Sequence, residues 1–378
     1  MKFFVNVIIK FILLILFALA SGTSALPLKD AFKDNFQIGV ALANRDIRNS
    51  RVTDIVNIEF NVVVAEFGMK MANVLPEQGI YNFTWTDEFF DFAKENGQVV
   101  VGHTLVWHKA IPDWFFLDAK GQKLKRDQLL LKLQRHINTY VGRYRGQVLG
   151  WDVVNEAFNY DGSFRNSPWL EIIGEDYIEK AFEFAHQADP NAELYYNDYG
   201  LVSPKKHASV VALVKRLKKK AIPIHAVGIQ GHYSLTYPDL KALDKTIARF
   251  ANLGVKVMIT ELDVSVLPFP GPEDRGEDAE INVARAQQLN PYPEQLSEEA
   301  MQQFTNRYRD LFRVFLKHSN SISRVTFWGL TDAHTWRNNW PIPGRADYPL
   351  LYDRALKPKP VVKALLELIE ARDSYIHL

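Results

Sequence analysis

Eight apolar, β-rich runs alternate with amphipathic helical stretches along this chain, and that alternation limits the fold more than any other feature. The runs are residues 36–43, 62–66, 99–103, 148–155, 193–197, 226–230, 255–261 and 325–330. They are nearly continuous in Val, Ile and other apolar residues, as strands buried on both faces are. Helix ends are legible between them. Thr86 can cap a stretch that stops at Gly97, and Leu129, Leu130, Leu133, Ile137, Val141 and Tyr144 repeat at helical spacing with Gly146 just beyond. Ser203-Pro204 sets an N-cap and a proline ahead of a helix to Lys220, Ser297 opens Glu298–Lys317, and Pro360 opens a last helix to about Arg372. Strands alternating with helices are βαβ units, and eight units in one chain predict a closed (β/α)8 TIM barrel, a single α/β domain over residues 26–378. An open doubly wound sheet is the alternative. No Gly-x-Gly-x-x-Gly follows the first run, which argues against it. The length of 378 residues and the 47% hydrophobic content suit a large barrel with a full core.

The first 25 residues are set apart from the fold. Lys2 and Lys10 precede an unbroken apolar run over 11–19, and Ala18-Leu19-Ala20 and Thr23-Ser24-Ala25 both offer small residues for cleavage. This is the layout of a secretory signal peptide, so the mature chain is expected to be secreted or periplasmic. The other reading, an uncleaved anchor, needs a longer apolar run than this one, so no stable membrane span is expected in the mature chain. The absence of cysteine excludes disulfides, thiolate catalysis and a cysteine zinc site. A formal net charge of +1 does not suit a polyanionic partner, and the basic run at 215–220 reads as a solvated helix end. No nucleic-acid partner is therefore expected.

The chemistry-bearing residues fall at the C-terminal ends of the runs. The second ends in Glu66, the third in His103, the fourth in Asn155-Glu156 and the fifth in Asn197-Asp198. The sixth ends in Gln230-Gly231-His232, the seventh in Glu261-Leu262-Asp263 and the eighth in Trp328-Gly329-Leu330-Thr331-Asp332. In a barrel these ends share one face, where active sites are built. Glu156 and Glu261 lie on the fourth and seventh runs, across a barrel from each other. Opposed carboxylates among aromatics suit glycoside hydrolysis, in which one carboxyl donates a proton and the other attacks, about 5 Å away in a retaining enzyme. The donor is expected to have its pKa raised by a negative neighbour, and the attacker to be held ionised by hydrogen bonds. His232 can join Glu261 to Asp263, which marks Glu261 as the nucleophile and leaves Glu156 as the acid/base.

These residues also carry a family resemblance. Trp151-Asp152-Val153-Val154-Asn155-Glu156-Ala157 and Ile259-Thr260-Glu261-Leu262-Asp263 resemble the two catalytic motifs of the family 10 glycoside hydrolases, the xylanase family. His103-Thr104-Leu105-Val106-Trp107-His108, Gly228-Ile229-Gln230-Gly231-His232 and Trp328-Gly329-Leu330-Thr331-Asp332 through Trp336 resemble further family motifs in the same order. The resemblance implies an endo-β-1,4-xylanase with no cofactor, acting on xylan and xylo-oligosaccharides. It implies that Lys70, His103, Asn155 and Gln230 bind the sugar at the cleavage point, with Glu66 one sugar toward the non-reducing end. Trp107, Trp328 and Trp336 would wall the cleft, Tyr199 would stack on the leaving-group side, and His232 and Asp263 would support Glu261.

The chain departs from that pattern in two places. Phe67 stands where the family carries an amide, and Lys109-Ala110 stands where Ser-Gln is usual. Weakened or shifted binding toward the non-reducing end is expected, and Lys109 offers a cation to a uronic-acid branch. A metal site made of His103, His108 and His232 lacks a His-Glu-x-x-His motif, and none is expected. Trp114 and Trp169 suit packing as well as sugar contact, and Trp340 lies in a stretch similar to a family loop over the cleft. The Pro-rich, charged stretch 268–293 suits a loop that shapes access. A monomer is expected. Two rivals remain: a barrel glycosidase acting on glucan or mannan, and a glycan-binding protein without turnover.

Overall fold

The computed structural model describes residues 26–269 and 288–376. The leader and most of the stretch 268–293 lie outside the described residues. Nine strands occur among the described residues: β1 (Gln37–Leu42), β2 (Val62–Ala65), β3 (Val99–Val106), β4 (Val148–Asn155), β5 (Glu193–Asp198), β6 (Ala226–Ile229), β7 (His232–Ser234), β8 (Lys256–Ser265) and β9 (Ile322–Phe327). Every pairing is parallel, and the order runs from β6 back through β1 to β9 and β8. The pairing of β6 with β8 closes the ring into the expected eight-position barrel. The ninth strand is a break, not an addition. Gln230-Gly231 interrupts the sixth position, and β7 resumes pairing with the far end of β8. Sequence reading carried that position only to Gln230, because a three-residue strand leaves no periodic signal.

The boundaries differ elsewhere by a few residues. β3 runs on to Val106, β8 runs on to Ser265, and β9 begins at Ile322 and stops at Phe327. The Thr86 cap is corrected. That helix spans Thr84–Glu95 with Phe83 at the N-cap, and Thr86 is buried inside it. Ser203 and Ser297 do sit at N-caps, and the Ser297 hydroxyl accepts from Ala300 N. No helix among the described residues is long and apolar enough to cross a membrane.

Two cores hold the barrel. Side chains of the outer faces of the strands pack against the helices in one large cluster. A smaller cluster of Ala41, Val62, Val64, Val101, Tyr195, Ala226, Met258 and Trp328 fills the interior. Side chains alternate across a strand, so the residue two positions beyond an interior plug faces the same way. Glu66 follows Val64, His103 follows Val101 and Asn197 follows Tyr195 by that step. The interior is thus apolar in its depth and polar at its C-terminal rim, which turns the strand-end residues of the sequence into one site.

One glycine is fixed by the strand beside it. Gly102 pairs with Trp151, and a Cβ on Gly102 would lie 2.1 Å from the Trp151 ring. Trp151 is fully buried against Tyr140, with ring centroids 5.0 Å apart, and cannot give way cheaply. Gly102→Ala is expected to destabilise the fold by about 1–3 kcal/mol through overpacking. Urea denaturation of the two proteins checks this, and an unchanged midpoint would show that the ring has room to move.

Candidate active site

Glu261 lies on β8 and is 5% exposed, so its charge needs partners. Each oxygen has its own. Asn197 Nδ2 donates to Oε1 at 2.7 Å, and His232 Nε2 lies 3.1 Å from Oε2. Asn197 is itself oriented, since its carbonyl accepts from Thr260 Oγ1 at 2.7 Å. His232 Nδ1 lies 3.0 Å from Asp263 Oδ2. An imidazole that serves two carboxylates at once does so as a donor from both nitrogens, which is the cation. Burial alone would lower the His232 pKa, but Asp263 and Glu261 outweigh it and push it up to about 9.

Asp263 is fully buried and belongs to a larger knot. Arg337 Nε donates to Oδ1 at 2.7 Å, and Trp336 Nε1 donates to Oδ2 at 2.8 Å. Burial would raise its pKa, but Arg337 and His232 hold it down at about 2. Arg337 escaped the sequence reading. It lies beyond the eighth run in a loop, and no spacing rule ties it to the seventh.

Glu156 ends the fourth barrel position with φ of +58°, a left-handed conformation that costs a non-glycine residue of order 1 kcal/mol or more. Its backbone is clamped in return. Glu156 N donates to Asn197 O at 2.9 Å, Arg165 Nε donates to Glu156 O at 3.0 Å, and Ala157 N donates to Tyr196 Oη at 3.1 Å. The side chain accepts from Gln230 Nε2 at 3.0 Å. The Asn155 amide lies 3.0 Å from the Asn197 amide and 3.2 Å from that of Gln230, so one polar chain runs from Glu156 to Glu261. Burial would raise the Glu156 pKa, yet hydrogen bonds from Gln230 and Trp107 lower it below the ordinary value. This corrects the expectation of a raised acid. Burial is outweighed by donors that point straight at the oxygen.

The remaining predicted residues gather around this pair. Lys70 is buried, with its ammonium 4.7 Å from the Phe67 ring centre and 5.0 Å from that of Trp107. Burial lowers its pKa, against the pull of Glu261, Glu66 and Glu156. Glu66 is pushed up to about 7, chiefly by burial. His103 Nδ1 lies 2.9 Å from Asp152 Oδ2, and its ring meets Trp328 at 5.3 Å. Trp336 packs on His232 at 4.9 Å and on the exposed Trp340 at 5.0 Å. Tyr199 Oη bonds Arg165 Nη2 at 2.6 Å.

Not every polar strand end faces this site. Asp198 pairs with the buried Lys206 at 2.6 Å, and Asp332 with the buried Lys359 at 3.0 Å. Both acids are satisfied structurally, so the ring of strand-end acids has two fewer free members than the sequence suggested. Trp169 is buried, with its indole donating to Trp107 O at 2.7 Å, and is a packing residue. His108 lies 3.9 Å from Glu156, beyond hydrogen-bond reach, and burial lowers its pKa to about 4. Asn197, Asp152, Arg165 and Arg337 were not singled out as site residues. Asn197 stands beside a strand end and Asp152 lies within the fourth run, so both were legible in principle.

The comparisons with known proteins agree with this geometry. The family model Glycosyl hydrolase family 10 matches residues 27–368, and the chain belongs to that family. It is 42% identical over 345 residues to an endo-1,4-beta-xylanase A of Xylanibacter ruminicola, covering 91% of this chain and 93% of that protein. It is 38% identical to a beta-1,4-xylanase of Dictyoglomus thermophilum, covering 97% of this chain and 98% of that protein. A GH10 endoxylanase structure from a sugarcane soil metagenome superimposes with a TM-score of 0.84 at 40% identity, covering 91% of this chain and 99% of the other. A glutamate-to-alanine mutant solved in complex with xylotriose gives a TM-score of 0.81 at 36% identity, covering 90% of this chain and 99% of the other.

The charged knot sets a pH dependence. His232 has a folded pKa above its ordinary 6.5, so its stabilisation is complete below about pH 6.5 and fades as pH rises through about 9. Asp263 has a folded pKa below its ordinary 3.8, so its share is complete above about pH 4 and is lost as pH falls toward 2. His232→Gln is therefore expected to cost most stability near pH 5–6 and progressively less toward pH 10, as read by urea denaturation across that range. A penalty that does not vary with pH would show that His232 is not charged in the folded state.

Proposed function

We propose that this family 10 glycosyl hydrolase is an exported, retaining endo-1,4-β-xylanase with Glu261 as nucleophile and Glu156 as acid/base. One observation carries the roles: both oxygens of Glu261 are held by separate donors, one of them an imidazolium. A carboxylate fixed in this way is kept ionised and aimed, as attack on an anomeric carbon needs. Glu156 stands across the polar chain of Asn155, Asn197 and Gln230, on the leaving-group side. In the first step Glu156 gives its proton to the bridging oxygen while Glu261 forms the bond to the anomeric carbon. In the second, Glu156 takes a proton from water, which attacks that carbon and releases Glu261.

Xylan is favoured over glucan or mannan by the xylanase names of the relatives and by the xylotriose complex of a similar structure. Turnover, as opposed to binding alone, is favoured by the matched carboxylates. Lys70, His103, Asn155 and Gln230 would grip the sugar beside the scissile bond, and Glu66 the next one outward. Trp107, Trp328 and Trp336 would form the walls. Export rests on the leader pattern of residues 1–25, and a monomer suffices because every named group comes from one chain.

Three outcomes test this reading. Xylan should be cleaved in preference to cellulose and mannan, with the anomeric configuration retained in the first product seen by NMR. Glu261→Ala should abolish turnover on every substrate. Glu156→Ala should lower xylan hydrolysis by about 10²–10⁴-fold while sparing aryl xylosides with good leaving groups, which need no proton. Equal loss on both substrate types would overturn the assignment of Glu156. At the non-reducing side, Phe67 is 46% exposed beside Lys70 and offers a ring where the family has an amide. Phe67→Asn is expected to lower KM for short xylo-oligosaccharides about fivefold, the value of one restored hydrogen bond.

A further inference from the structure

The segment that carries Glu66 to the cleft is buried with one exception. From Val62 to Met71 every residue is buried but Phe67, which is 46% exposed. Its backbone is held on both sides. Glu66 N donates to Leu42 O at 2.9 Å, and Phe67 O accepts from Lys70 N at 3.0 Å and from Asn73 Nδ2 at 2.6 Å. Gly68 packs against Trp85, where a Cβ would come within 1.6 Å of the ring. A fixed stretch of backbone thus presents one apolar ring at the rim of a polar site.

That ring stands beside a cation with donors to spare. The Lys70 ammonium lies 4.7 Å from the Phe67 ring centre and 5.0 Å from that of Trp107, in the field of Glu261, Glu66 and Glu156. Lys70 is 8% exposed, and its ammonium makes no hydrogen bond or salt bridge among the described residues. An ammonium has three N–H donors, and leaving them unmet at such a depth is costly. The phenyl ring has neither donor nor acceptor to offer. A sugar hydroxyl brought against Phe67 gives up its water and gains no partner. An O-acetyl group at the same point suits both neighbours. Its methyl is apolar and can lie on the ring, it has no proton left to donate, and its carbonyl oxygen can accept from the ammonium.

We propose that Phe67 and Lys70 make the non-reducing side of the cleft a reader of acetylated sugar, the ring taking the ester methyl and the ammonium the ester carbonyl. The acetyl group belongs on the sugar beside Glu66, one step outward from the cleavage point. Lys70 still has an N–H for the sugar at the cleavage point, because its donors point in three directions. The ester is held and not cleaved, so the hydrolysis itself is unchanged. The inference deepens the xylanase reading and rests on it.

The test uses one acetylated xylan before and after deacetylation by mild alkali. Phe67→Ala should lower the ratio of kcat/KM on the acetylated polymer to kcat/KM on the deacetylated one about fivefold, and Phe67→Tyr, which keeps the ring, should hold it within about twofold. NMR of the wild-type products from the acetylated polymer should find the ester enriched on the sugar next to the new reducing end, and Phe67→Ala should remove that enrichment. An unchanged ratio overturns the proposal, and so do products whose esters avoid that sugar. An equal fall on both polymers leaves the ratio unchanged and marks the ring as a support for Lys70 alone. A wild-type protein that cleaves neither polymer is a different result, since it removes the xylanase reading itself.

Discussion

Asp263 is the group on which the site depends. It has no exposed surface and is shared by three donors from two places: His232 at β7, and Trp336 and Arg337 from the loop after β9. An unpartnered carboxylate at that depth would cost several kcal/mol, so the loop, the broken sixth strand position and β8 are held to one another by a single charge. The same arrangement fixes His232 as a cation with its second nitrogen toward Glu261. Structural satisfaction and nucleophile orientation are therefore one interaction, and removing either acid changes the other's surroundings.

The barrel explains why such a knot can form. Parallel strands bring all their C-terminal ends to one rim, and the interior plug of Val62, Val64, Val101, Tyr195 and Met258 keeps water out from below. The break at Gln230-Gly231 serves the site directly. It lets Gln230 turn toward Glu156 while His232, two residues on, reaches Glu261 and Asp263.

The barrel was legible because its strands are long apolar runs between helices with marked ends. Where the signal was short or irregular it was not. β7 has three residues, and the helix expected to start at Thr86 begins earlier because Phe83 has no capping side chain to advertise the position. Within the site, residues on strand ends were legible from position, and Glu156, Glu261, His232 and Asp263 come together as position implied. Arg337 and Arg165 were not, since each acts from a loop across a distance that sequence does not encode. Position also misled. Asp198 and Asp332 share the strand-end register of the catalytic residues, but buried lysines at 206 and 359 claim them.

The lowered pKa of Glu156 bears on how an acid can work from it. The donors that hold its charge are Gln230 and Trp107, with His108 and Arg165 acting through space. Under the proposed function Gln230 also meets a sugar hydroxyl beside the scissile bond. A sugar that takes the Gln230 amide removes the largest influence favouring the carboxylate, while burial, which favours the neutral acid, deepens as water leaves. Proton affinity at Glu156 would then rise because substrate is present, and the group would be an acid only when there is a leaving oxygen to receive its proton. The left-handed backbone at Glu156, clamped by Asn197, Arg165 and Tyr196, keeps the carboxyl in place while its donors change. A free acid could turn away to follow a lost hydrogen bond, and this one is held against the cleft.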